Sequence, residues 1–301
     1  MNKNRKFIIG FLAPAVIMFI LVFLYPIIRT LMMSFFKIDS VTGGIETWKF
    51  EGLSNYQALI TTPVFQTSMW NLFRIWFFGG IIVLSFSLLL AVILTSGIRF
   101  KKFFRAVIYL PNIVSAVALA TMWLQYVYSS KFGLLTTFFN AIGLKSAAAT
   151  QWLDSGHKFR ALLLAYCFGM IGYHMLIWLS GIERISPDLF EAAHIDGANK
   201  PQQFWYITRP LLKGIFKTNI TMWSVTSVAF FVWSQLFSTV TADTQTIVPM
   251  VYMYMQTFGA GNTVTERNAG LGAAVGVILC ICVIVIFTLT NRLIKEDDLE
   301  F

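Results

Sequence analysis

PDLFEAAHIDGANKPQQFWYITRPLL, residues 187–212, is the longest polar interruption between the hydrophobic blocks of this chain. Ser186, Pro187 and Asp188 have the grammar of a helix start. A hydroxyl can cap free amides, proline suits the first helical position, and an acid faces the positive end of the dipole. Gly197 is where that helix should stop, because glycine enters the left-handed region without strain. A second short helix is expected at once, with Asn199 as cap, Lys200 and Pro201 in its first turn and Gln202 three residues after the cap. Asp196 is also placed to cap it. The expectation is helix, glycine turn, helix, on the water-facing side of a membrane protein.

On either side the composition is that of a membrane chain. Hydrophobic residues make up 57% of the 301 positions and charged residues 12%, against about 25% charged in soluble domains. Six blocks, 7–28, 75–98, 106–130, 161–182, 218–242 and 268–291, are each long enough for the ~20 helical residues that cross a hydrocarbon core. Backbone groups must pair within the bilayer, so these are read as helices. The fold class expected is an all-α polytopic bundle of six transmembrane helices, one domain over residues 1–301, with 183–217 as a cytoplasmic loop. The apolar run at 7–28 exceeds the ~7–15 residues of a signal-peptide core and is read as a retained span.

The net charge of +9 belongs to membrane topology rather than to nucleic acid. With the amino terminus inside, 14 of the 23 Lys and Arg fall in the shorter cytoplasmic segments, Arg99, Lys101, Lys102 and Arg105 most densely, as the positive-inside bias requires. Both termini are then cytoplasmic. Residues 244–265 are apolar around IVPMVYMYM but carry Gln245, Pro249, Gln256 and three further breakers or amides, so a surface helix on the outer face is expected rather than a seventh span. Short amphipathic surface helices are also read at 50–59 and within 131–160. Cys167, Cys280 and Cys282 fall inside spans, where they are read as small apolar packing residues.

Glu191-Ala192-Ala193, Gly197 six residues after the Glu, then Ile207 and Pro210, resemble the EAA signature of ABC importer membrane subunits. EAAHIDGA with FWYITRPLL behind it is most similar to the carbohydrate-uptake branch, the maltose and glycerol-phosphate type permeases. Arg209 departs from the leucine usual before the proline. The resemblance implies a permease forming half of a translocation pathway for a sugar, an oligosaccharide in the first place. It implies as partners a second related permease, two cytoplasmic ATPase subunits and an extracytoplasmic solute-binding protein, in a bacterial or archaeal cytoplasmic membrane. ATP and magnesium would sit on the ATPase subunits, with no cofactor in this chain. Glu191, Ala192, Ala193, Asp196, Gly197 and Pro210 would be the ATPase-coupling residues. A carboxylate at 191 suits an arginine of the partner, and the two alanines let the backbone approach the partner's groove.

Candidates for a substrate path come from two spans. Trp223, Ser227, Phe230 and Ser234 recur at one helical face of the fifth, and aromatic faces beside hydroxyls suit a sugar. Tyr173 stands eighteen residues before Glu191, on the fourth helix from which maltose-type permeases build their cavity. The competing reading is helix-to-helix packing. His174 is an ionisable group within a span and reads as a neutral packed histidine.

The chain carries no GxxxxGK[ST] loop, no His/Cys ligand spacing and no nucleophile in an elbow or triad, so an enzyme is not expected. Two rivals remain: an ABC permease for another solute (glycerol-phosphate or an amino acid) and an ion-coupled secondary transporter. The latter predicts paired intramembrane acids or basic residues and an internal inverted repeat, and the six spans hold no Asp or Glu, which weighs against ion coupling.

Overall fold

The computed structural model describes residues 2–39, 44–238, 243–259 and 267–294. The chain is mostly helical and divides into two compact units, Met1–Gln66 with Pro249–Ile281, and Thr67–Val248 with Cys282–Phe301.

Among the described residues, four continuous helices are long and apolar enough to cross a membrane: Phe7–Met33, Pro63–Thr95, Lys158–Ile182 and Ala269–Leu293. They correspond to the first, second, fourth and sixth expected spans. The second begins twelve residues earlier than hydropathy placed it, at Pro63, because polar residues such as Asn71 and Arg74 find partners within the fold.

The third expected span is not one straight helix. Lys101–Ile113 and Ala116–Val127 meet at an angle of 98° and count as a fifth span only when taken together. Pro111 has no amide to donate, and Val114 and Ser115 turn to extended backbone. The Ser115 hydroxyl then accepts from Ala118 N at 3.2 Å, so a fresh helix starts under its own cap. The fifth expected span is broken too, into Lys213–Val228 and Val232–Phe237, with a tight turn in which Phe231 N donates to Ala229 O at 2.9 Å. Residues 239–242 lie outside the described residues.

In the first unit, Phe36–Lys37 pairs antiparallel with Lys49–Phe50, Phe36 opposite Phe50. The helix Ser54–Thr61, expected within 50–59, sits against that ribbon. Asn55 donates to the carbonyls of Ser34 and Phe36, both at 3.0 Å, and its own Oδ1 accepts from Asn268 at 3.0 Å. Asn268 Oδ1 accepts from Ile38 N. These two side-chain amides complete backbone groups that no longer strand partner reaches. The helix Pro249–Phe258 has ten residues, about 15 Å at 1.5 Å each, half of a hydrocarbon core. Position 262, expected on the same outer face, lies outside the described residues.

The second unit is built on Lys158–Ile182, the most buried of the long helices. Towards its carboxyl end it packs on Gly80–Thr95 through Ala91, Leu94, Met175, Trp178, Leu179, Ile182 and Leu212. The Trp178 indole donates to Ser87 Oγ at 3.0 Å and meets the Phe216 ring edge-on at 4.5 Å. Higher up, Lys101–Ile113 crosses directly over Gly172, where a Cβ would stand 2.7 Å from Tyr109 Cα. Only glycine lets the two backbones approach so closely.

Candidate functional site

The segment 187–212 folds largely as its residues dictate. Ser186 Oγ accepts from Asp188 N at 3.3 Å, and the helix runs Pro187–Ile195. Asp196 is its carboxyl-terminal cap and Gly197 takes φ +78°. Ala198 N donates back to Ala193 O at 2.8 Å and Gly197 N to His194 O at 3.1 Å, the paired bonds that close a helix through a left-handed residue. Asn199 then caps the next helix reciprocally: Gln202 N donates to Asn199 Oδ1 at 2.9 Å and Asn199 N to Gln202 Oε1 at 2.8 Å. Asp196 therefore does not cap the second helix as expected; Asn199 occupies that position. A π-helical turn over Phe204–Thr208 leads to Pro210. Arg209, the departure from the family pattern, lays its guanidinium 5.0 Å from the Trp205 ring centroid, a cation–π contact on an exposed surface.

One face of Pro187–Ile195 looks into a cavity of about 780 Å³ between this segment and the neighbouring helix ends. Phe190, Glu191 and His194 line it from Pro187–Ile195, and Lys101, Glu183 and Lys200 from the neighbouring segments. Lys101 Nζ bonds Glu183 Oε1 at 2.8 Å, tying the start of Lys101–Ile113 to the residue that follows the fourth-span helix. Glu191 is exposed and, among the described residues, has no ion-pair partner. Ala192 is exposed and Ala193 half-buried; neither faces the cavity. Ile195 at the tip is 85% exposed.

The expected substrate stripe does not lie on one helix. Trp223 and Ser227 stand on Lys213–Val228, Phe230 in the break, and Ser234 on Val232–Phe237. All four are buried. The Trp223 indole donates to Trp76 O at 2.8 Å and rests against Gly79 and Gly80. Tyr166 is the hub, with Phe230 edge-on at 4.6 Å, Trp223 at 5.7 Å and Trp233 at 5.8 Å. Ser227 bonds Ser224 O and Ser234 bonds Thr246 O. Tyr173 is half-buried with its ring 5.2 Å from His174. His174 is fully buried, its Nδ1 2.8 Å from Asn219 Oδ1. The packing reading foresaw such a histidine but not its partner, since Asn219 shares no motif with it. Of the cysteines Cys167 is buried, Cys282 half-buried and Cys280 exposed, so packing accounts for the first and not the last.

The family model for a binding-protein-dependent transport system inner membrane component matches residues 84–296. The chain is 31% identical over 289 residues to the arabinooligosaccharides transport system permease protein of Bacillus subtilis, across 94% of this chain and 87% of that one. It is 28% identical to the probable starch degradation products transport system permease protein of Thermoanaerobacterium thermosulfurigenes, across 99% and 97%. Its fold is similar to a crystal structure of a bacterial alginate ABC transporter in complex with alginate pentasaccharide-bound periplasmic protein, with a TM-score of 0.80 over 97% of this chain and 94% of that one. At 20% identity that likeness speaks for the fold alone. With its long apolar helices, the chain is a multi-pass membrane protein. It belongs to the family of binding-protein-dependent transport system inner membrane components, the permease subunits of ABC importers, and is not an enzyme.

Proposed function

We propose that this chain forms half of the translocation pathway of an oligosaccharide importer and couples it to cytoplasmic ATPase subunits. The observation that carries the sugar reading is the pair of near-full-length relatives named for arabinooligosaccharides and starch degradation products. A solute-binding protein delivers the sugar outside, by analogy with the pentasaccharide-bound periplasmic protein in complex with the alginate transporter. A second, related permease completes the pathway. ATP and magnesium are held by the ATPases.

In this reading residues 1–301 are one transmembrane domain of six spans with both termini inside. The bent pair Lys101–Ile113 and Ala116–Val127 is the third span, and the broken run through Lys213–Val228 and Val232–Phe237 is the fifth. The segment 183–217 is the coupling loop. Glu191 points its carboxylate at a basic residue of the ATPase, while Asp196 and Gly197 shape the turn and Pro210 sets the following helix. An exposed carboxylate without an ion-pair partner among the described residues supports that role, because a charge kept for another chain stays unpaired in its own. Tyr173 is the member of the substrate-path set with a partly open side chain. Trp223, Ser227, Phe230 and Ser234 act behind it as a packed support.

The test is uptake by the complete transporter, with its binding protein and ATPases, of radiolabelled arabino-, malto- and uronate oligosaccharides beside glycerol-phosphate and histidine. Uptake of an oligosaccharide, competed by the unlabelled sugar, is expected. Uptake of glycerol-phosphate or histidine with none of the oligosaccharides would replace the sugar reading by its rival.

A further inference from the structure

Lys158 and Asp243 are separated by 85 residues, yet Lys158 Nζ lies 2.7 Å from Asp243 Oδ2 with both side chains 9% exposed. A buried ion pair seldom adds stability over a well-packed apolar pair, but removing one partner strands the other charge. Such a pair is therefore informative about position. The residues around it show what is being positioned. Asp243 Oδ1 accepts from Gln245 N at 3.0 Å, and the Asp243 carbonyl accepts from Thr246 N and Ile247 N. Asn71, buried on the helix Pro63–Arg74, donates to Thr244 O at 3.0 Å and Ile247 O at 2.9 Å. Ser234 donates to Thr246 O. Arg74 in turn bonds Asn71 and lays its guanidinium 3.9 Å from the Phe159 ring centroid, next to Lys158.

Residues 243–248 are thus a strap whose backbone carbonyls are taken up by side chains from two helices, while its Asp243 carboxylate pairs with Lys158 on a third. The strap ends at Val248, where the chain leaves one compact unit, and Pro249 begins the other. Most of its bonds are to backbone carbonyls, which any sequence would offer. Among the described residues, the bond that a strap side chain itself makes to another element is the ion pair of Asp243. We propose that Lys158 and Asp243 are positioning residues: their buried pair clasps the strap 243–248, which Asn71 holds on the second-span helix, to the outer end of the fourth-span helix, so that strap and helices move as one body during transport. This rests on the proposed topology, which puts the strap on the outer face.

The clasp can be read by thiol labelling, because a buried side chain reacts only when its segment opens. Thr246 is fully buried and its hydroxyl has no hydrogen-bond partner among the described residues, so Thr246→Cys removes no bond. In a background with Cys167, Cys280 and Cys282 changed to alanine, the assembled transporter in intact cells is treated with a membrane-impermeant maleimide. Slow labelling is expected with the pair intact, and labelling about tenfold faster in Asp243→Asn or Lys158→Met, equivalent to about 1.4 kcal/mol in the opening equilibrium. The reciprocal exchange Lys158→Asp with Asp243→Lys should return the rate towards the starting value, which loss of packing alone would not do. Equal rates in all variants, or an exchange as fast as the single changes, overturns the proposal. If the single variants fail to accumulate, membrane yield becomes the readout: recovery by the exchange supports the clasp and no recovery overturns it. Thr244→Cys, exposed on the same strap, separates the two readings. If it labels only after permeabilisation, the outer placement fails, and the clasp is then judged from the same rates in permeabilised membranes.

Discussion

His174 Nδ1 and Asn219 Oδ1 lie 2.8 Å apart and join the fourth-span helix to Lys213–Val228 with both side chains fully buried. The Asn219 amide nitrogen donates to Ile215 O, one turn back, which leaves its oxygen to accept. The proton of the imidazole is therefore on Nδ1, and Nε2 has no partner among the described residues. Asn219→Leu should strand the Nδ1–H and lower stability by about 1–3 kcal/mol. The double change with His174→Leu should cost less than the sum of the two single changes. Melting midpoints of the four purified proteins check this, and additive losses would mean that the two residues are not coupled.

Gly172 is the crossing point of Lys101–Ile113, and Gly156 faces open space. Gly172→Val should push the crossing helix away and sharply lower the yield of folded protein, as overpacking does by about 1–3 kcal/mol or more. Gly156→Ala should be silent. Comparison of monodisperse yield in detergent is sufficient, and an unaffected Gly172→Val would contradict the contact.

Glu191→Lys should leave the melting midpoint unchanged, since no ion-pair partner is lost within the described residues. It should, however, weaken ATPase docking or uncouple hydrolysis. Loss of one member of a buried pair costs about 3–5 kcal/mol, and a rim pair at most about 1 kcal/mol. ATPase activity of the assembled transporter, stimulated by loaded binding protein, is the measurement. Stimulation and uptake equal to wild type would remove Glu191 from the coupling role. Gly197→Val should act in the same direction by straining φ +78°.

Tyr173→Phe and Trp223→Ala should fail differently. Tyr173→Phe removes one hydroxyl, worth about 1 kcal/mol as a hydrogen bond, and should reduce uptake per assembled complex. Trp223→Ala empties a buried site, costing about 3–5 kcal/mol, and should reduce assembly while uptake per complex holds. A Trp223→Ala protein that assembles normally but does not transport would put that indole on the sugar's path.

Cysteines introduced at Gly44, Lys145 and position 262 should label from outside, and those at Lys200 and position 300 only from the cytoplasm. Positions 262 and 300 lie outside the described residues. External labelling at 300 would make residues 244–265 a crossing segment and end the six-span reading.

Most of the segment 187–212 was legible because its signals are local, Asp196 as a cap of the second helix being the exception. Ser186, Gly197, Asn199 and Gln202 each act on backbone groups within a few positions, so their types alone imply the two helix ends. The long helices at 7–33, 158–182 and 269–293 were legible because the bilayer demands a length of apolar residues that composition reports directly. Hydropathy could not see the 98° bend or the break at 229–231. Both segments remain apolar through the break, and what decides the geometry is which carbonyl, glycine or ring receives them: Gly172 under Tyr109, Tyr166 under Phe230. The same holds for the pairs His174–Asn219 and Lys158–Asp243, whose members are 45 and 85 residues apart. Class, family motif and local caps could be read from residue types and short spacings. The burial of the aromatic stripe and the meeting of the polar groups emerge on folding, because they depend on contacts between residues that no local periodicity relates.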